Sequence, residues 1–383
     1  MQTRPRRCLI FNPDFPVLGG GERYTVALGH VIAETHQVTY AAHNAPGPSR
    51  LTQLGFPALD VQVLQDHEFP AMSRAFDLAV VVTMRVPPPS FAATSLVVAQ
   101  FPLEPIGVNA RVLRHYHCIV YSEYVRHWLK KRWRAEGEIL MPGIEVATTA
   151  TPVKEQLILS VARFVGALGS DWSKRQDVLI DAFAQLPAHL RDSWRLVLAG
   201  SYAPSSEMDA FIAALQERAA GLPVTIETNV SPQRLSELRD RARFFWHATG
   251  FERPETHPER AEHFGMSTAE AMSHGAIPLV FGDGGQPEIV DQQAGRIWHT
   301  IPELVEQTTA LMALPSADLD AMARVNRESS RRFGSDRFER DARAMLERFG
   351  TRRTPYRFHH RLHHVANALR RRIRWARHRR AMR

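Results

Sequence analysis

Only two of the 383 residues are cysteine, Cys8 and Cys118, and each stands at the start of an apolar run. Two thiols so placed exclude a disulfide-stapled scaffold and read as small hydrophobes of a core. Long apolar runs are also missing: none reaches the roughly 18 residues of a bilayer-spanning helix. The apolar stretch after the charged start, Cys8 to Phe11, is too short for a secretory signal, so the expected location is the cytoplasm. Residues 351–383 lack Asp, Glu and Lys but hold twelve arginines, so this tail carries +12 of a net +8 and residues 1–350 carry −4. The basicity belongs to the tail alone. Outside the tail no His pairs with a second His or an acid at a metal-ligand spacing, so no metal site is expected.

What is present is a globular chain, 44% hydrophobic and 23% charged, long enough for two domains. Short, near-continuous apolar runs alternate with helical patterns. In the first half the strand candidates are residues 8–11, 38–41, 61–64, 78–82, 96–99 and 118–121, with helices near 22–34 and 124–133. Such strands, separated by helices, imply a parallel sheet covered on both faces. Residues 141–152, rich in Pro, Gly and Thr, interrupt the pattern as a linker. Alternation restarts at 157–161 and runs through 177–186, 196–199, 206–220, 224–227, 244–247 and 277–281 to helices between 302 and 346. The expected architecture is α/β: two Rossmann-like doubly wound parallel-sheet domains (residues 1–150 and 151–334) facing a central cleft. A helix at 335–350, crossing back to the first domain, and an Arg-rich tail at 351–383 complete it.

Three features place chemistry in that cleft. The loop Gly19-Gly20-Gly21, between the first strand and a helix beginning with Glu22, brings backbone amides close to a negatively charged ligand. Tyr24 occupies the third position of a Gly-x-Gly-x-x-Gly fingerprint, which disfavours a nicotinamide dehydrogenase. Arg163, ending a strand, and Lys174, just before a helix, are two cations on the cleft rim, suited to a diphosphate or else a solvated surface pair. The third feature is Glu262-His263-Phe264-Gly265-Met266-Ser267-Thr268-Ala269-Glu270, with Gly275, Pro278 and Gly284-Gly285-Gln286-Pro287-Glu288 beyond it. Its carboxylates suit sugar hydroxyls, while the rival reading is a capping box in which Ser267 caps the helix and Glu270 reaches back.

This third segment closely resembles the donor-binding core of retaining family 4 glycosyltransferases of GT-B architecture. The match is Glu262 and Glu270 eight apart, Ala271-Met272, Gly275, Pro278 and Gly284-Gly285 with Glu288-Ile289-Val290. Ser122-Glu123-Tyr124, Val161-Ala162-Arg163-Phe164 and Lys174 fit in order, and the likeness covers roughly residues 7–350. The Gly-Gly-Gly-Glu-Arg start also looks like mannosyltransferases that extend lipid-linked oligosaccharides. The resemblance implies an N-terminal acceptor-side domain and a C-terminal donor domain binding a nucleotide diphosphate sugar, with no cofactor. By it, Glu270 holds the ribose, Glu262 faces the donor sugar and the reacting centre, and Arg163 and Lys174 grip the diphosphate. Gly265, Met266 and Ser267 contact sugar or phosphate, and Gly20 and Gly21 close over the phosphate. Glu22, His247 and His263 are further candidate contacts, and His257 lies nearby. Gln100 stands where family members commonly carry a catalytic-loop His, which leaves a His-assisted mechanism without its residue.

In the tail, apolar residues from Phe358 to Ala376 fall at helical spacing among arginines, a basic amphipathic pattern that fits an anionic membrane surface. Arg370, Arg371, Arg372, Arg374 and Trp375 are the expected contacts, and a helix packed on its own protein is the alternative. No base-reading fold accompanies the charge, so no specific nucleic-acid partner is expected. The resulting expectation is a retaining, metal-independent hexosyltransferase at the inner face of the cell membrane, with a lipid-linked glycan acceptor. An inactive GT-B scaffold binding membrane or nucleic acid, and a nucleotide-sugar epimerase on the same fold, stay open.

Overall fold

The computed structural model describes residues 4–15, 19–47, 59–103, 110–148, 153–170 and 172–350. The Arg-rich tail, with Arg370, Arg371, Arg372, Arg374 and Trp375, lies outside the described residues. Seven strands form the first sheet: β1 (Arg7–Phe11), β2 (Gln37–Ala42), β3 (Val61–Val63), β4 (Leu78–Thr83), β5 (Thr94–Ala99), β6 (His117–Val120) and β7 (Gly137–Ile139). Six form the second: β8 (Glu155–Val161), β9 (Arg195–Gly200), β10 (Val224–Thr228), β11 (Ala242–His247), β12 (Ile277–Phe281) and β13 (Arg296–Trp298). The orders are β3-β2-β1-β4-β5-β6-β7 and β10-β9-β8-β11-β12-β13. Every pairing is parallel.

The sequence of the central strands explains their place. In β4 (LAVVVT) and β5 (TSLVVA) every residue is buried, so each strand needs cover on both faces, which flanking helices provide. Cys8 and Cys118 are free thiols inside this core. The order of each sheet reverses at one point, between β1 and β4 and between β8 and β11. Loops leaving the carboxyl ends of adjacent strands diverge there and open a crevice. The glycine loop follows β1, Arg163 follows β8, and the segment carrying Glu262 follows β11, so all three leave the switch points.

The two domains are tied twice by the chain. In the linker, Ile144 N–H donates to the Phe333 carbonyl (2.8 Å), and Ser335 N–H donates to the Ile144 carbonyl (3.0 Å). The helix Ser335–Gly350 then packs on the first domain: Phe338 lies edge-on to Tyr24, and Arg343 pairs with Glu34 at 2.6 Å.

Three local features differ from the sequence reading. β7 and β13 are three-residue strands, too short to show a pattern, that exist because a neighbouring edge offers hydrogen bonds. The single helix expected over 124–133 is α-helical over Glu123–Trp128 and widens to a π turn over Leu129–Trp133, placing Trp133 in the core. The capping box is overturned. The helix runs Met266–Ser273, entered from Gly265 with no side-chain cap, so Ser267 lies inside it and Glu270 bonds elsewhere.

Candidate active site between the two sheets

Gly265 sets the second domain's half of the cleft. Its φ of +106° lets the chain leave the Glu262 loop and enter the helix in one residue, a conformation that side chains with a Cβ resist. A Cβ there would also press on the fully buried Gln286 amide at 2.9 Å. Thr268 and Ala269 N–H donate to the Gly265 carbonyl (3.0 and 3.1 Å), whereas no backbone acceptor is found among the described residues for the Met266 and Ser267 amides, which suits this end of the helix to an anion. Gly20, at the start of the opposing helix Gly20–Ala33, faces it: a Cβ on Gly20 would lie 2.9 Å from the Met266 sulfur. The glycine loop and the Met266–Ser273 helix therefore meet closely across the cleft.

Glu262, 21% exposed, receives a hydrogen bond from Lys174 Nζ at 3.0 Å, and His247 Nε2 lies 3.6 Å from the same oxygen. Burial pushes this carboxyl up, but Lys174, His247 and His263 more than offset that and hold it down to about 2. His247 is buried at the end of β11, and burial lowers it to about 4 against the pull of Glu262, so it is neutral at pH 7. Its Nε2 is 3.3 Å from Thr249 Oγ1, and its Nδ1 has no partner among the described residues.

Glu270 is built differently. It is 4% exposed and holds two guanidinium groups: Arg23 Nη1 donates to Oε1 at 2.7 Å, and Arg239 Nη2 donates to Oε2. Burial raises its pKa, and the two arginines reverse the shift to below the ordinary carboxylate range. Arg23 comes from the helix after the glycine loop, so this bond crosses the domains.

Arg163 and Lys174 are each drawn to a carboxylate rather than to one another. Lys174 is on Glu262, while Arg163 reaches the glycine loop, where a Cβ on Gly19 would sit 3.5 Å from its guanidinium carbon and 3.2 Å from Glu22 Oε2. Glu22 is buried, and burial, opposed by its own amide and by Arg163, raises its carboxyl to about 7. Gln100 packs on Gly21, so a glutamine side chain fills the position named in the sequence for its missing His. His263 stacks on Phe101 (4.8 Å between centroids), and His257 pairs with Glu259 at 2.9 Å; neither ring touches Glu262 or Glu270 through these contacts. Among the described residues no three His, Cys, Asp or Glu side chains gather as metal ligands would.

The remaining motif residues hold the domains together. Glu288 accepts from the backbone N–H of Glu123 (2.8 Å) and Tyr124 (2.7 Å), capping the first-domain helix. Ser122 Oγ donates to the His263 carbonyl (2.6 Å), and Tyr124 Oη donates to the Pro258 carbonyl (2.7 Å).

Two doubly wound parallel sheets that meet at their switch points, joined by a chain that crosses back, decide the architecture. The fold is that of the GT-B glycosyltransferases. Residues 145–324 match the family model described as glycosyl transferases group 1. A Rickettsia africae glycosyltransferase superposes with a TM-score of 0.70 at 13% identity, over 90% of this chain and 99% of that one. Anabaena Alr3699/HepE, solved in complex with UDP and glucose, gives 0.69 at 16% identity, over 89% and 100%. WaaG, a glycosyltransferase involved in lipopolysaccharide biosynthesis, gives 0.59 at 16% identity, over 88% and 99%. No curated protein sequence matches the chain.

Arg23 and Arg239 are the residues that sequence reading missed. Arg23 directly follows the glycine loop and Glu22, which was the available signal. Nothing in the sequence around Arg239 announces its partner, 31 positions away.

Proposed function

We propose that the chain is a retaining glycosyltransferase of the family 4 type. It would move a hexose from a nucleotide diphosphate sugar to a glycan acceptor, in the assembly of a lipid-linked or cell-surface saccharide. The observation that carries this reading is the pair of ionised carboxylates Glu262 and Glu270, on either side of the Gly265 turn, facing a glycine loop from the other domain. The group 1 match over residues 145–324 and the HepE complex with UDP and glucose support it.

In this mechanism Glu270 accepts hydrogen bonds from the ribose hydroxyls, and Glu262 accepts them from the sugar. The Gly265, Met266 and Ser267 amides and those of Gly20 and Gly21 surround the diphosphate. As the bond from the anomeric carbon to the phosphate oxygen breaks, the acceptor hydroxyl oxygen bonds to that carbon. Its proton passes to the departing diphosphate. Arg163 and Lys174 carry fixed positive charge where the leaving group gains negative charge, so the reaction is proposed to proceed without a metal ion. Neutral His247 lies 3.6 Å from the Glu262 oxygen that Lys174 bonds.

A screen of nucleotide sugars for thermal stabilisation tests the donor. A ligand at about 100 times its dissociation constant adds roughly 2.7 kcal/mol, a shift read directly in the melting curve. A screen in which no nucleotide sugar moves the melt would refute the reading. Turnover in excess chelator is expected to be undiminished. The tail is proposed to hold the enzyme on an anionic membrane face, each Arg contributing about 1 kcal/mol. Co-sedimentation with anionic liposomes should then be lost on truncation after Gly350, and retention would refute that role. No helix among the described residues is long and apolar enough to cross a membrane.

A further inference from the structure

We infer that Arg23 sets donor affinity by occupying the nucleotide end of the cleft in the unliganded protein, so that a donor must displace it. The inference rests on the assignment of Glu270 to the ribose. Both Glu270 oxygens already carry a guanidinium, Arg23 on Oε1 and Arg239 on Oε2. A ribose diol that bonds this carboxylate enters a space that Arg23 holds.

Exposure decides which arginine yields. The Glu270 side chain is 5% exposed and Arg239 15%, but Arg23 is 42% exposed. A ligand arriving from solvent therefore meets Arg23 first. Losing the Arg239 bond would strand a buried charge, whereas Arg23 can turn into water at small cost. Arg23 stands on the first domain and Glu270 on the second, so displacement also removes one interdomain ion pair. The exposed Glu145 of the linker lies close enough to attract both arginines and offers Arg23 an acid to turn towards.

The arithmetic is that of a competing state. If Arg23 covers Glu270 most of the time, observed donor affinity falls to the uncovered fraction of its intrinsic value, and removing Arg23 restores it. Titration calorimetry of the full chain with UDP and with GDP tests this, using the better binder. Arg23→Ala and Arg23→Gln should each bind about threefold or more tighter than the unaltered chain. In a Glu270→Gln background the same changes should give no gain, which separates competition at Glu270 from a general loosening of the helix. Unchanged or weaker binding by both Arg23 variants would overturn the inference while leaving the donor assignment standing. Absence of binding in every form, the unaltered chain included, would overturn the donor assignment and the inference with it.

Discussion

Glu262 and Glu270 sit eight residues apart, and both are held below the ordinary carboxylate range, yet they are wired in opposite ways. Glu262 takes its partners, Lys174 and His247, from its own domain, so the end of the cleft proposed to hold the sugar is assembled whatever the other domain does. Glu270 takes one arginine from its own domain and one from the other, so the end proposed for the nucleotide is closed by a contact that exists only where the domains meet. On the proposed reading, chemistry belongs to a rigid half-site and binding to a jointed one. Fixed charges at a reacting centre cost no reorganisation during the reaction, while an end that admits a ligand past Arg23, as proposed above, has to open.

The largest expected effect breaks the rigid half. Glu262→Ala should lower kcat by about a thousandfold or more and leave nucleotide diphosphate affinity within about threefold, read by steady-state kinetics and calorimetry. Glu270→Ala should instead act mainly on KM for the nucleotide sugar, raising it about ten- to a hundredfold. Because the change strands buried Arg239, it should also cost about 3 kcal/mol in denaturant unfolding. Equal effects of the two variants on kcat would dissolve the comparison. A smaller change tests the joint itself: Glu288→Ala frees the amides of Glu123 and Tyr124 and should cost about 1–2 kcal/mol, with kcat nearly unchanged.

The smallest effect lies in pH. Glu22 titrates near 7 beside Arg163: below that pH it is neutral and leaves the guanidinium charge for a diphosphate, and above it the carboxylate competes. UDP-glucose, whose diphosphate does not titrate in this range, should bind about two- to fivefold more weakly at pH 8 than at pH 6. Glu22→Gln should flatten that dependence in the same titration.

The fold was legible where burial is two-sided. Strands such as β4, β5 and β12 announce themselves as apolar runs, and the switch-point loops follow from the alternation. β7 and β13 were not: Gly137-Glu138-Ile139 and Arg296-Ile297-Trp298 carry neither an apolar run of four nor the alternation of the edge strand β3, Val61-Gln62-Val63, and they owe their pairing to a neighbour. In the cleft, Glu262, Gly265 and Glu270 were legible because a turn and an eight-residue spacing are local. The partners of Glu270 were not: Arg23 lies 247 positions away, and its choice is made by domain packing. The capping-box reading failed for a related reason. It is a local rule, and a buried carboxylate offered two guanidinium groups gains more from them than from one backbone amide.

The most direct test of the central claim, that this cleft binds a nucleotide sugar through Glu270 and reacts it at Glu262, is one calorimetric series. UDP-glucose and GDP-mannose are titrated into the unaltered chain, Glu262→Ala and Glu270→Ala. Saturable one-to-one binding of at least one donor, kept in Glu262→Ala and weakened about tenfold or more in Glu270→Ala, is the predicted result. Binding that survives Glu270→Ala unchanged, or no binding of either donor to the unaltered chain, would contradict it.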